Sequence, residues 1–321
     1  LTSEHLLQPL PVQLYVLAIA LMIDFGFGEP PRKIHPTVWI GRFAEFLNSK
    51  IKRGNQTFEK LCGVFLCLSI LLVFVVPVYV GLALVQQHFG VGAYVLVAAL
   101  LLKSTFAVKD MERHVTPIVK AVGKGDLAEA RLKLQSIVGR DTSRLDRDHV
   151  ASATVESIAE GIVDGAASAL FFFALAGVPG ALAYRVINTL DSTVGYIDRE
   201  YRNVGWFSVK LDTAANYIPA RLAALLIVLS ALLTHGSLRN SWRILRRDRC
   251  RTRSLNAGWS MSAMAGLLNV RLEKVGFYVL GGSSDVLETK HILHALQVMK
   301  TTTLLFSVLI VIPILMVSAA W

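Results

Sequence analysis

Glu156, Glu160 and Asp164 stand four residues apart, so on a helix they stack along one face. No basic residue lies between them, and like charges at this spacing repel. The chain then runs directly into the apolar block 166–176, which sets the ladder beside a membrane, where ionisable side chains are functional candidates by default; a solvated polar face is the alternative. Three hard oxygen donors suit Mg2+, above all a Mg2+ shared with a substrate phosphate. The spacing therefore predicts a metal site at Glu156, Glu160 and Asp164.

Other polar groups supply complementary chemistry. Gly139-Arg140-Asp141-Thr142 places a guanidinium and a hydroxyl after a glycine turn, a form suited to clamping phosphate. Asp141 adds a carboxylate there, and helix punctuation with Thr142 or Asp146 as N-cap is the alternative. Arg185, Asn188 and Asp191 step by three and share a helical face, with Ser192 joining them and Tyr196 following. Asp212, Asn216 and Arg221 repeat the pattern at the entrance to another apolar block. Near the amino end Asp24, Glu29, His35 and Trp39 surround Gly28-Glu29-Pro30-Pro31, and Pro36 stiffens the same loop. His35 there reads as structural or substrate-facing, and His291 with His294 as exposed helical residues. Neither a Walker A loop nor a dinucleotide-binding glycine fingerprint occurs.

These groups need a scaffold, and composition says which kind. Of 321 residues 54% are hydrophobic and 17% charged, against about 45–50% and about 25% in soluble chains. Disorder is excluded, and the apolar residues gather in blocks. The expectation is an all-α, polytopic integral membrane protein forming a single membrane domain. Its spans are predicted at 12–26, 61–86, 91–108, 166–187, 217–235 and 301–320, with polar helical inserts at 109–165 and 236–300. Gln86–Gly90 reads as the turn of a transmembrane hairpin, and Gly177-Val178-Pro179-Gly180 breaks 166–187 into one kinked span or two half-helices. Within the first insert, Asp126-Leu127-Ala128-Glu129 opens a soluble helix of about three turns, with Gly139 closing it.

Lysine plus arginine number 33 against 23 acids, a net charge of +10. Segments 27–60, 109–165 and 236–300 hold 7, 9 and 11 of the basic residues, and 188–216 only 3. A single span at 166–187 puts the three rich segments on the cytoplasmic face; a re-entrant 166–187 keeps 188–216 with them and sends 236–300 across. The arginine run Arg239, Arg243, Arg246, Arg247, Arg249, Arg251 and Arg253 fits topology or lipid headgroups, or an anionic substrate. No basic stripe with interleaved aromatics suggests nucleic acid. Of Cys62, Cys67 and Cys250 the first two lie in an apolar block and none has metal-ligand spacing, so no disulfide framework is expected. No cleavable signal peptide is expected.

In order along residues 24–282, the motifs resemble those of one family, the membrane-bound cobalamin-biosynthesis proteins CobD/CbiB. The resemblance is carried by Gly28-Glu29-Pro30, His35-Pro36, Ile137-Val138-Gly139-Arg140-Asp141-Thr142, Val155-Glu156-Ser157-Ile158-Ala159-Glu160 and Asp164-Gly165. It continues through Ala183-Tyr184-Arg185, Asn188-Thr189-Leu190-Asp191-Ser192, Gly195-Tyr196, Leu211-Asp212, Ile218-Pro219-Ala220-Arg221-Leu222, Asn256-Ala257-Gly258-Trp259 and Tyr278 before Gly281-Gly282. Glu29 and Gly161 stand where that family often has Asp and Asn, and Ile197-Asp198-Arg199 departs from its usual continuation.

The resemblance implies an ATP-dependent amide ligase, adenosylcobinamide-phosphate synthase. Such an enzyme joins the free propionate carboxylate of adenosylcobyric acid to the amine of (R)-1-amino-2-propanol O-2-phosphate, or to aminopropanol, with ATP and Mg2+. On that reading Glu156, Glu160 and Asp164 hold metal, and Arg140, Arg185 and Arg221 bind phosphate. Asp191 or Asp212 positions the amine, Asp141 is a further catalytic carboxylate, and Asn188, His35 and Tyr196 contact substrate. The setting implied is the cytoplasmic membrane, with the active site facing the cytoplasm, the bilayer and the corrinoid as partners, no nucleic acid, and homo-oligomers or other late cobalamin-pathway enzymes as associates. The competing reading is a transporter whose discontinuous helix forms the substrate site.

Overall fold

The computed structural model describes residues 8–29, 33, 35–51, 54–195, 203–282 and 287–320. Tyr196 and the segment Ile197-Asp198-Arg199 lie outside the described residues. In chain order the helices are α1 (Leu10–Phe27), α2 (Pro36–Ser49), α3 (Gln56–Lys103), α4 (Val108–Lys124), α5 (Leu127–Leu134) and α6 (Arg147–Ile162). A wide π turn, Val163–Ala167, leads into α7 (Ser168–Val194), followed by α8 (Trp206–Ala215), α9 (Tyr217–Ser230), α10 (Leu238–Asp248) and α11 (Ala257–Leu268). Strands β1 (Arg271–Lys274) and β2 (Tyr278–Gly281) form an antiparallel hairpin with Leu272 opposite Leu280, and α12 (Thr289–Phe306) runs through a second π turn, Ser307–Val311, into α13 (Ile312–Ala319).

The fold is thus helical, with one short hairpin added to the expected all-α class. Among the described residues four helical runs are long and apolar enough to cross a membrane: Leu10–Phe27, Gln56–Lys124, Arg147–Val194 and Thr289–Ala319. A fifth exists if α8 and α9 count as one bent span.

Several expected boundaries move for identifiable reasons. Helix continues through Gln86–Phe89 and breaks only at Gly90. Gln86 is no turn residue, because its amide exchanges two hydrogen bonds with that of Gln8, at 2.8 and 2.9 Å. The break expected within 166–187 falls at Ala176-Gly177, where Gly177 adopts φ 63°, ψ −160°, backbone that a side chain would strain. Asp126 caps α5 as expected, accepting from the Glu129 amide at 2.9 Å. The helix stops at Leu134, however, a turn before Gly139. The Gln135 amide donates to the carbonyls of Val138 and Arg140, and Thr142 Oγ1 donates to the Arg131 carbonyl. Side chains thus take over the chain-end hydrogen bonding that a C-terminal glycine would have organised. Of the two candidate caps for the next helix, Asp146 serves, accepting from the His149 amide at 2.9 Å. The insert expected to be polar at 236–300 contains α11, buried from Ser260 to Leu268. Its small residues allow close approach, and a Cβ on Gly266 would lie 2.7 Å from Ser241 Cα in α10.

The chain divides into two compact units. The first comprises Leu1–Ala107, Ser168–Ala215 and Ile310–Trp321. Its core joins Ile40 and Ala44 of α2, Leu66, Cys67 and Ile70 of α3, and Leu182, Val186 and Leu190 of α7. The second comprises Val108–Ala167 and Asn216–Leu309. Ile118 and Val122 of α4, Ala130 and Leu134 of α5, and Val150 and Ala153 of α6 form a cluster in it. Helix α6 is the central element of this second unit, packed against α4, α5, α11, α12 and β1, so its polar side chains have protein rather than water on most sides.

Candidate functional site

In the second unit the polar side chains of α6 meet the β-hairpin and the loop before α6. Glu156 is buried and fully engaged. Its Oε1 accepts from Ser152 Oγ at 2.8 Å. Its Oε2 accepts from the Tyr278 hydroxyl at 2.9 Å and from Arg140 Nη2 at 3.2 Å. Ser152 Oγ in turn accepts from the Glu273 amide at 2.8 Å, which locks β1 onto α6. Burial, and then the charges of Glu156 and Glu160, push the Tyr278 hydroxyl far above its ordinary pKa, so it stays a donor.

One helical turn on, Glu160 faces the same cavity of about 290 Å3, which Arg140, Glu156, Ser157, Lys274 and Tyr278 also line. No hydrogen-bond donor reaches the Glu160 carboxylate among the described residues, although the charges of Lys274 and Arg140 act on it. The cavity therefore presents both signs of charge: an acid with open oxygens beside a guanidinium and an ammonium.

Asp164 does not complete the ladder. It sits in the wide turn Val163–Ala167, which follows the end of α6 at Ile162, and it is not among the described residues lining the cavity. No group of three or more His, Cys, Asp or Glu side chains is arranged to hold a metal among the described residues. The expected three-carboxylate site is therefore not assembled by this chain. A Mg2+ carried in on substrate phosphates needs only one or two protein carboxylates, and Glu160 is the donor that fits.

The remaining predicted residues of this unit have other occupations. Asp141 is exposed and accepts from the Ser143 amide and hydroxyl at 2.9 and 3.0 Å. The backbone donor is the larger cause holding its carboxyl below the usual range, and Asp141 is not among the described residues that line the Arg140 cavity. Arg221 does not line the Arg140 cavity among the described residues. Its guanidinium stacks 3.4 Å from the Tyr217 ring centre and 4.8 Å from that of Trp259, and donates to Asn256 Oδ1.

The first unit holds a separate polar cluster. Arg185 Nη1 donates to Asn188 Oδ1 at 3.1 Å, and Asn188 Nδ2 donates to Asp212 Oδ1 at 3.2 Å. Asp191 lies close enough for its charge to feel that of Asp212. Arg185 is itself held by the Thr105 carbonyl, to which both Nε and Nη2 donate. Arg185, Asn188 and Asp191 thus share a face, and Asp212, which the sequence groups by spacing with Asn216 and Arg221, joins them instead. Beside Thr105 lies a network that the sequence reading had only half collected. Lys103, buried at the end of α3, pairs with Asp24 at 3.1 Å and Glu29 at 2.5 Å, and donates to the Phe106 carbonyl. His35 caps α2, its Nδ1 accepting from the Thr37 amide. The proton must then sit on Nε2, which donates to Glu29 Oε2 at 2.5 Å. Burial tends to raise the Glu29 carboxyl, but the His35 hydrogen bond and the Lys103 charge outweigh it and hold the group below its ordinary value. His35 thus joins the start of α2 to Glu29.

Lys103, Lys274 and Ser152 escaped sequence reading. A lysine closing an apolar run was the available signal for the first. Nothing local marked the other two, whose roles arise from pairing across 121 positions in the case of Ser152 and Glu273.

The family described as CobD/Cbib protein matches residues 17–305. The chain belongs to the CobD/Cbib family. A relative from Methanothermobacter thermautotrophicus, named a probable cobalamin biosynthesis protein CobD, is 38% identical over 305 residues, covering 93% of this chain and 98% of its own. The cobalamin biosynthesis protein CobD of Dehalococcoides mccartyi is 40% identical, covering 84% and 86%. That of Thermoplasma volcanium, named as probable, is 38% identical, covering 95% and 99%. No solved structure matches the chain. Both polar clusters fall within the matched span, so the family's shared sequence includes the elements that build them.

Proposed function

We propose that this CobD/Cbib protein of cobalamin biosynthesis is an amide ligase. It joins the free propionate carboxylate of adenosylcobyric acid to the amine of (R)-1-amino-2-propanol O-2-phosphate, or to aminopropanol, at the expense of ATP. The observation that carries the reading is the cavity of the second unit, with Glu160 open beside Arg140 and Lys274. Its volume of about 290 Å3 suits the small amino-alcohol partner rather than a corrinoid. An amino-alcohol phosphate is both an ammonium and a phosphate, and the cavity offers a carboxylate for one and two cations for the other.

The chemistry is balanced in two steps. A propionate oxygen attacks the terminal phosphorus of ATP, ADP leaves, and an acyl phosphate forms. The amine nitrogen then attacks the acyl carbon, inorganic phosphate departs, and the ammonium proton passes to a carboxylate. Glu160 is the acceptor best placed for that proton, because no donor among the described residues already holds its oxygens. Arg140 supports charge on phosphate while Glu156, pinned by Ser152 and Tyr278, keeps that guanidinium oriented. Mg2+ bound with the nucleotide would neutralise phosphate charge, with Glu160 as its protein ligand in the first step. Asp191 and Asp212, bridged through Asn188 to Arg185 in the first unit, form a second acid–guanidinium group suited to substrate binding.

The test is the purified chain in detergent with adenosylcobyric acid, aminopropanol phosphate, ATP and Mg2+. Amide product, identified by mass with one ADP per turnover, supports the ligase. Accumulation of substrate in sealed vesicles without product would support the transporter reading, which the broken helix α7 invites.

A further inference from the structure

The arginine run after α9 takes part in neither polar cluster. On α10, Ser241, Ile244, Leu245 and Asp248 are buried, which leaves the other face outward. There Arg239, Asn240, Trp242, Arg243, Arg246 and Arg247 line a groove of about 830 Å3. Arg247 is already bound to Asp248, through two hydrogen bonds of 2.7 Å. Arg239, Arg243 and Arg246 have no carboxylate partner among the described residues. Three guanidiniums on one face of one helix repel one another and call for an anion.

The surroundings indicate which anion. Leu238 and Trp242, one turn apart, are 39% and 44% exposed and border the arginine face. The segment just before α10 carries Leu229, Leu232 and Leu233 on its surface, at the end of the α9 part of the fifth candidate span. Ser237, seven residues beyond α9, caps α10. A helix that follows a span at once, with arginines on one side and tryptophan and leucine beside them, has the pattern of an interfacial helix. We propose that α10 binds the phosphate of an anionic phospholipid headgroup, with Arg239, Arg243 and Arg246 as its donors and Trp242 against the acyl boundary.

The experiment is native mass spectrometry of the full chain in neutral detergent, titrated with dioleoyl phosphatidylglycerol or dioleoyl phosphatidylcholine. Phosphatidylglycerol is expected to be retained at least about 10-fold better than phosphatidylcholine. The Arg239→Gln/Arg243→Gln/Arg246→Gln variant should lose that preference, and the corresponding triple lysine variant should keep most of it, with helical circular dichroism unchanged in both. Excess ATP should leave the phosphatidylglycerol adduct in place. Equal retention of the two lipids by the unaltered chain overturns the proposal even if a variant fails to fold. So does retention by the glutamine variant, and displacement by ATP would assign the groove to a soluble phosphate instead.

Discussion

Glu160 and Glu156 sit one helical turn apart and do different work. Glu156 spends both oxygens on Ser152, Tyr278 and Arg140, so it is a structural anion. Glu160 faces the cavity without a donor, so its replacement removes charge without breaking a bond. Glu160→Gln is therefore expected to lower amide formation by at least about 100-fold, the scale of a lost general base, with the melting temperature in detergent unchanged. Near-normal turnover would remove Glu160 from the mechanism and favour a scaffold role. Lys103 gives the opposite case. Lys103→Met removes the cation that pairs with buried Asp24 and Glu29, leaving the His35 hydrogen bond to Glu29 in place, and losing one partner of a buried ion pair costs about 3–5 kcal/mol. A lower melting temperature, partly restored by adding Asp24→Asn, is the expected result. Sequence spacing identified both glutamates and Asp24, but it ranked Glu156, Glu160 and Asp164 as equals. Their division of labour comes from neighbours on β2 and on the loop before α6.

At the scale of elements, the β-hairpin positions Tyr278 and Lys274, and Asp248 together with Arg247, which donates to the Gly281 carbonyl, ties it to α10. Asp248 is buried, accepts from the Gly281 amide at 2.9 Å, and pairs with Arg247 and Arg251. Burial opposes its charge, but the Arg247 hydrogen bonds, the Gly281 amide and the two guanidinium charges prevail and hold its carboxyl below the usual range. The native state thus favours the ionised form. The stabilisation is fully present above the unfolded aspartate pKa of about 3.9 and is lost as pH falls through the lower native value. Asp248→Asn should cost about 1.5–3 kcal/mol at neutral pH, read as a lower melting temperature, and the gap from the unaltered chain should narrow below about pH 4. A gap independent of pH would show that packing, not charge, makes the link. The hairpin itself was not legible in the sequence, since four-residue strands leave too short an alternation to separate from loop. The break in α7 was legible, because Gly177 and Pro179 interrupt helices for reasons internal to the residue.

Across the whole molecule, the uneven distribution of basic residues predicts topology. Segments 27–60, 109–165 and 236–300 carry most of the lysine and arginine and are expected to face the cytoplasm. In a chain with Cys62, Cys67 and Cys250 replaced, cysteines at the exposed positions Ser49, Ser136 and Ser254 should react with a membrane-impermeant thiol reagent only in inverted vesicles. Labelling of Ser254→Cys from the opposite side would instead support a re-entrant α7. The sequence by itself determined that this is a helical membrane protein of the CobD/Cbib family, and it picked out the faces on which acids and arginines recur, because apolar blocks and helical periodicity are local properties. Tertiary structure alone decided which of those groups meet. The Glu156–Tyr278 contact spans 122 positions, Lys103 reaches back 74 to Glu29, and Asp164 falls in the π turn beyond α6, outside the described lining of the cavity. Such pairings depend on how distant helices pack, and no local pattern of residues encodes that packing in readable form.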